Sequence, residues 1–139
     1  MTIQEKKNYL KQYKKLIQKI NVLEKELHDI NLSSLPGGID YSKDKIQTTP
    51  TNDQMINYVI KLEDLENSIL SLRMEAINVC NNILETISTL EDETYQTILH
   101  RRYILFEAWE QIADSMGYSI QWVYLTHGEA LAELTIKKD

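Results

Sequence analysis

Few side chains in this sequence are placed to make or break bonds. The histidines His28, His100 and His127 stand far apart, and none has a partner at metal-ligand spacing. Cys80 is the single cysteine, which excludes an intramolecular disulfide framework and a Cys-rich zinc site. No Ser-His-Asp set, paired-carboxylate pocket or phosphate-cradling glycine loop is visible. These absences predict a chain that is not an enzyme and carries neither metal nor cofactor. His127 reads as a core histidine on the inner face of its helix. Cys80 reads as a small apolar side chain flanking a helical seam.

The chemistry left is recognition. Ser119, Gln121, Trp122, Tyr124 and Leu125 fall close together on a segment that reads as the second helix of a helix-turn-helix. Gln can read an adenine edge, and apolar side chains can touch a thymine methyl. Trp and Tyr are equally suited to anchoring a protein interface. On these residues alone, DNA and protein targets both stay open. Arg101, in the basic run His100-Arg101-Arg102, could reach a phosphate, whereas Arg102 could pair with an acid such as Glu110. Lys7, Lys11, Lys14, Lys15 and Lys25 lie opposite the apolar stripe of the first long helix. They form either a solvated face or a patch that tracks a phosphate backbone.

The elements that must position these residues are helical. The chain has 139 residues, 42% apolar and 26% charged, which fits one domain or a small domain on an extension. With only four Gly and two Pro it lacks the turns of a β-sandwich or barrel. No apolar run approaches the roughly 20 residues needed to cross a bilayer. The segment Met1–Lys7 lacks the apolar core of a signal peptide, so a cytoplasmic location is expected. Net charge is −6, but residues 1–30 hold seven Lys against four acids, so the N-terminal end is basic.

Tyr9, Tyr13, Leu16, Ile20, Leu23, Leu27 and Ile30 recur at alternating spacings of four and three, predicting a helix over 8–30. Residues 31–52 hold both prolines and no periodicity, and read as a loop. From Asp53, a plausible N-cap, the same rhythm runs through Met55, Tyr58, Leu62, Leu65, Ile69, Leu72, Ala76, Val79, Ile83, Thr86 and Leu90. A helix of about 36 residues is roughly 54 Å long and needs a helical partner. The prediction is an all-α chain: an antiparallel, coiled-coil-like helical hairpin over 1–90, then a compact helix-turn-helix head over 91–139. The first helix is shorter than the second. Apolar surface is therefore left over around Leu65, Ile69 and Leu72, predicting a homodimer or higher oligomer.

In the head, a short helix opens near Asp92. The run Trp109 to Val123 then reads as helix, tight turn at Gly117, and a new helix capped by Ser119. Ala113 is small enough for two helices to cross closely, with Val123 packing beneath it. Val123, His127, Ala130 and Leu134 mark the inner face of the last helix.

Residues 98–134 resemble region four of bacterial sigma factors, in the variant found in phage regulators. The resemblance lies in Leu99, Arg102-Tyr103, Trp109-Glu110, Ile112-Ala113, Met116-Gly117-Tyr118-Ser119, Val123-Tyr124, His127-Gly128 and Ala130-Leu131. This arrangement is similar to the RinA and ArpU type of phage late-gene activator, which also places a helical hairpin ahead of the sigma-like end. The resemblance implies a phage or prophage DNA-binding transcriptional regulator in the cytoplasm of a bacterial host. One sequence feature keeps the alternatives open. From Ser119 to Leu134 there is no Lys or Arg, and phosphate neutralisation supplies most non-specific DNA affinity. The alternatives are a sigma-like head docked on RNA polymerase or another protein, and a small packaging-terminase subunit.

Overall fold

The computed structural model describes residues 1–33 and 52–137, and among them every regular element is an α-helix. The elements are α1 (Ile3–Leu10), α2 (Gln12–Ser33), α3 (Asn52–Ser88), α4 (Glu93–Tyr103), α5 (Trp109–Met116) and α6 (Ile120–Glu133). The loop expected over 31–52 lies outside the described residues except at its ends, where α2 runs on to Ser33 and α3 begins at Asn52. Asp53 thus sits in the first turn of α3 rather than capping it. No described helix is long and apolar enough to cross a membrane.

The first helix starts earlier than its heptad suggests. The Thr2 hydroxyl accepts from the Glu5 N–H at 3.1 Å, and the Glu5 carboxylate accepts from the Thr2 N–H at 3.0 Å. This reciprocal cap satisfies two amides that a helix start leaves open. A turn at Lys11 then divides the predicted single helix into α1 and α2, while the Lys11 backbone stays in the right-handed region.

The chain divides into two compact units, Met1–Ile17 with Glu75–Asp139 and Gln18–Met74, so the division crosses both long helices instead of falling at residue 90. In the unit Gln18–Met74, Ile20, Ile30 and Ile69 are buried, and Glu24 pairs with Arg73 across from α2 to α3. The expected oligomerisation residues belong to this inner stripe. Ile69 is only 4% exposed within a single chain, and Leu65 and Leu72 are half-buried. They pack inside the protomer, because α2 covers more of the α3 stripe than the difference in helix length suggested. The apolar side chains that stay exposed on α3 are Met55, Ile56, Val59, Ile60, Leu70, Met74 and Ile77, and Ile56, Ile60, Leu70 and Met74 lie on the side opposite Ile69.

The other unit holds the larger core. Leu10 of α1, Ile83 and Ile87 of α3, Leu90, Leu99 and Tyr103 of α4, and Ala130 and Leu131 of α6 form one buried cluster with Leu134. A second cluster, Ile112, Ala113 and Val123, lies where α5 meets α6. Asp92 caps α4, its carboxylate accepting from the Thr94 N–H at 2.8 Å. Ser119 caps α6 through the Trp122 N–H at 3.2 Å. Between α5 and α6, Gly117 has φ +76° and donates to the Ala113 carbonyl at 2.9 Å, which turns the chain at the end of α5.

Gly117 and Gly128 make a matched test of why each glycine is present. A Cβ on either would meet nothing within 4 Å, but only Gly117 has a left-handed backbone. Gly117→Ala should destabilise the protein by about 1 kcal/mol through backbone strain. Gly128→Ala, in the middle of α6, should stabilise it by about 0.5–1 kcal/mol. Urea unfolding of both variants checks the pair, and a loss of stability in Gly128→Ala would show a fold role for Gly128 that the structure does not contain.

Candidate recognition surface

The candidate surface is built on α6. Its buried side, Val123, Thr126, His127, Ala130 and Leu131, holds it against the rest of the head. The remaining side carries Gln121, Tyr124, Leu125, Gly128 and Glu129, all exposed. Leu125 is 64% and Tyr124 48% exposed, high values for large apolar side chains on a helix whose other face is fully packed. Gln121, Leu125 and Gly128 are spaced by four and three, so they lie on one line along α6.

Aromatic side chains brace this surface. Trp109 of α5 meets Tyr124 edge-on at 5.3 Å between ring centroids, and His127 edge-on at 4.7 Å. Trp122 stacks on Tyr118 at 3.7 Å. Trp122 is half-buried and packs at the rim of the α5–α6 cluster, while Tyr118 is exposed. The surface thus brings together Gln121, Tyr124 and Leu125 from the sequence-predicted set, with Ser119 as the cap and Trp122 as a bracing ring.

Arg101 is not part of it. Its guanidinium donates to both carboxylate oxygens of Glu107, at 2.9 and 3.2 Å, in a partly buried pair. It lines a groove of about 460 Å³ with Leu84, Ile87, His100 and Leu105. The phosphate contact expected of Arg101 therefore gives way to a partly buried internal salt bridge in which one guanidinium nitrogen, Nη1, serves both Glu107 oxygens. Arg102 does not use Glu110 either. It donates to the Glu107 carbonyl at 3.0 Å and lies over the Trp109 ring at 4.2 Å. Glu107 thereby ties both arginines to the turn before α5, where Phe106 takes a left-handed φ of +58°. No local motif announces this, because Glu107 is one acid among 21.

His127 is buried as expected and sits at the centre of the brace. Its Nε2 is 2.9 Å from the Tyr103 hydroxyl. Burial pushes the Tyr103 phenol up to about 12, so it keeps its proton. Burial first, and then the charges of Lys7, Arg102 and Lys11, push His127 down to about 4, so its imidazole is neutral at pH 7. A neutral ring protonated on Nδ1 accepts a hydrogen bond from the Tyr103 O–H at Nε2. Cys80 is half-buried, as a side chain flanking a seam should be, and burial raises its thiol pKa. Among the described residues, no group of three or more His, Cys, Asp or Glu could hold a metal ion.

Two features of the site escaped the heptad reading. Lys6 of α1 donates to the Leu131 carbonyl at 2.8 Å and the Ala132 carbonyl at 3.3 Å. α6 has no basic residue in its last turn, so Lys6 supplies the cation that its carbonyl end favours. The capping pair Thr2 and Glu5, which begins α1, was the available signal that residues 2–7 are ordered enough to do this. On the far side of α6, Glu129 accepts from the Tyr95 hydroxyl at 3.0 Å, which raises the Tyr95 pKa. No protein-family model, curated protein or solved structure matches the chain.

His127 gives the head a definite response to acid. Its pKa is lower in the fold than in the unfolded chain, so the unfolded state binds more protons between about pH 4 and 6.5. The stability that depends on neutral His127 is complete above pH 6.5 and is lost as pH falls towards 4, by on the order of 3 kcal/mol. His127→Gln keeps a partner for Tyr103 but cannot titrate. Urea unfolding at pH 7 and pH 4.5 should show a smaller acid loss in the variant than in the wild type. Equal losses would assign the acid sensitivity elsewhere.

Proposed function

We propose that the chain is a phage or prophage transcriptional regulator, not an enzyme, whose α5–Gly117–α6 segment is a DNA-binding helix-turn-helix of the sigma region-four kind. The observation that carries this reading is α6 itself. One side is packed into the core by Val123, His127 and Ala130, and the other exposes Gln121 and Leu125 together with Tyr124, which Trp109 braces. Such a helix, preceded by a short helix and a left-handed turn, can enter a major groove. Gln121 is the candidate for reading adenine, while Tyr124 and Leu125 suit thymine methyls. Gly128 adds support. It continues the Gln121–Leu125 line, makes no close approach inside the protein, and costs the helix stability, which fits a place where a ligand comes near the backbone. The resemblance of residues 98–134 to phage regulators points the same way.

One observation favours a second reading. α6 has no Lys or Arg, and both arginines of α4 are engaged internally. A rim of Tyr118, Trp122, Tyr124 and Leu125 also suits docking on a protein such as RNA polymerase. Titrating the chain with duplex DNA from around its own gene, at two salt concentrations, separates the readings. The regulator binds a particular fragment at low salt and loses affinity steeply as salt rises. Gln121→Ala should relax its sequence preference by roughly 1–3 kcal/mol at one position. Capture of polymerase with no DNA binding at low salt would replace the regulator with the docking module.

The regulator works as a homodimer in this proposal, with α2 and α3 folded as an antiparallel hairpin. Tyr9 bonds to Thr86 while Tyr13 meets Cys80, so partner numbers fall as residue numbers rise. The exposed line on α3 is self-complementary. Four of its exposed side chains, Ile56, Ile60, Leu70 and Met74, are spaced four, ten and four, with Val59 and Ile77 exposed beside them. A second copy of α3 running antiparallel would set Ile56 against Met74 and Ile60 against Leu70. Joining two heads raises the effective concentration of the second and offsets weak binding by each. Leu70→Asp should leave helix content unchanged and convert a dimer to a monomer by light scattering at micromolar concentration. A wild-type monomer under those conditions would remove dimerisation from the proposal.

A further inference from the structure

The question left by α6 is where a head without free cations finds its grip on a polyanion. The answer lies on the element that plugs into the head from the N-terminal end. Three contacts fix α1 and the start of α2 against it, Lys6 on the last carbonyls of α6, Leu10 in the shared core and the Tyr13 ring 5.4 Å from Phe106, while Tyr9 bonds to Thr86 of α3. Lys7 lies in α1, Lys11 at the junction and Lys14 in α2. The Lys11 backbone stays right-handed, and the Lys11 N–H to Lys7 carbonyl and Lys15 N–H to Lys11 carbonyl bonds run through the junction. Their spacings of four and three therefore keep the three on one face.

This face borders the recognition surface. Lys14 Nζ is 5.9 Å from the centre of the Phe106 ring, at the turn that leads into α5. Arg102 lies 4.2 Å over Trp109, the first residue of α5, and Trp109 touches Tyr124 on α6. The charges of Lys7, Lys11 and Arg102 all reach His127 beneath Trp109. Lys11 and Lys14 are exposed and Lys7 half-buried, and none of the three forms an ion pair among the described residues. Like charges gathered on one face without counter-ions repel one another, and a bound polyanion relieves that repulsion.

We propose that Lys7, Lys11 and Lys14 are the phosphate-backbone contacts of the head, so that α1 and the start of α2 supply general affinity while α6 reads bases. The inference rests on the DNA-binding reading above. It assigns to α1 and α2 a binding role that their apolar stripe does not reveal.

The test uses the full chain and a random-sequence 30-base-pair duplex, with affinity followed by fluorescence anisotropy over a range of salt concentrations. The triple variant Lys7→Gln, Lys11→Gln, Lys14→Gln is compared with a control that loses the same charge elsewhere: Lys19→Gln, Lys25→Gln, Lys61→Gln. Circular dichroism checks that both stay folded. The first triple should flatten the slope of log affinity against log salt by about 3, at roughly 0.9 per phosphate contact, and the control should keep the wild-type slope. Should both triples lose slope equally, or the first lose none while the wild type binds, the lysine face is overturned and the DNA-binding reading stands. Should the wild type fail to bind the duplex even at low salt, the DNA-binding reading falls and takes this inference with it.

Discussion

The head depends on one constraint: α4, α5 and α6 do not enclose their own core. Leu10 from α1 and Ile83 and Ile87 from the end of α3 are buried in the same cluster as Leu99, Ala130 and Leu131. Three short helices of 11, 8 and 14 residues expose too much apolar surface to be stable by themselves. The two long helices supply the missing wall. For this reason Met1–Ile17 and Glu75–Asp139 form one compact unit although Gln18–Met74 stands between them in the sequence. Removing α1 would uncover Leu99, Leu131 and Leu134 and withdraw Lys6 from the end of α6 in the same step.

The polar contacts of the head follow from this shared core. Packing α1 across the end of α6 leaves that helix's last carbonyls near a surface with no cation of its own, and Lys6 answers them. Burying Tyr103 between α4 and α6 obliges its hydroxyl to find a partner, which His127 provides. Holding His127 beneath Trp109 in turn fixes the ring that braces Tyr124. Arg101 and Arg102 close the same structure from the other side, through Glu107. A chain of individually modest contacts thus runs from the core to the exposed side of α6, and each is satisfied only while its neighbours stay in place.

What the sequence revealed divides by range. Caps and turns were legible because their physics is local. Asp92 and Ser119 accept from amides two or three residues on, and Gly117 reverses the chain by its own φ. The all-helical fold, the meeting of Ala113 with Val123, and the burial of His127 followed from periodicity. Contacts that depend on which element lies alongside were not legible. Nothing near Arg101 distinguishes Glu107 from other acids, and nothing near Leu65, Ile69 and Leu72 says how much of their stripe α2 covers. The heptad reading also absorbed residues 3–7 too late, since it weighed apolar spacing and passed over the Thr2–Glu5 cap.

The absence of cations on α6 looks like an argument against DNA only if one helix must do everything. Affinity for a duplex and choice among sequences come from different atoms. The first is set by charge near phosphates, wherever in the fold that charge is carried, and the second by a few side chains at base edges. In the proposed reading, an exposed α6 with Gln121, Tyr124 and Leu125 would discriminate without attracting, provided another element attracts. In this chain nine of the 15 positively charged residues fall in the first 46 positions, and the start of α2 brings one of them, Lys14, to the Phe106 ring at the turn before α5. The packing that completes the core is thus the same packing that would bring charge to the reading surface, and a change that loosens Leu10 would weaken both.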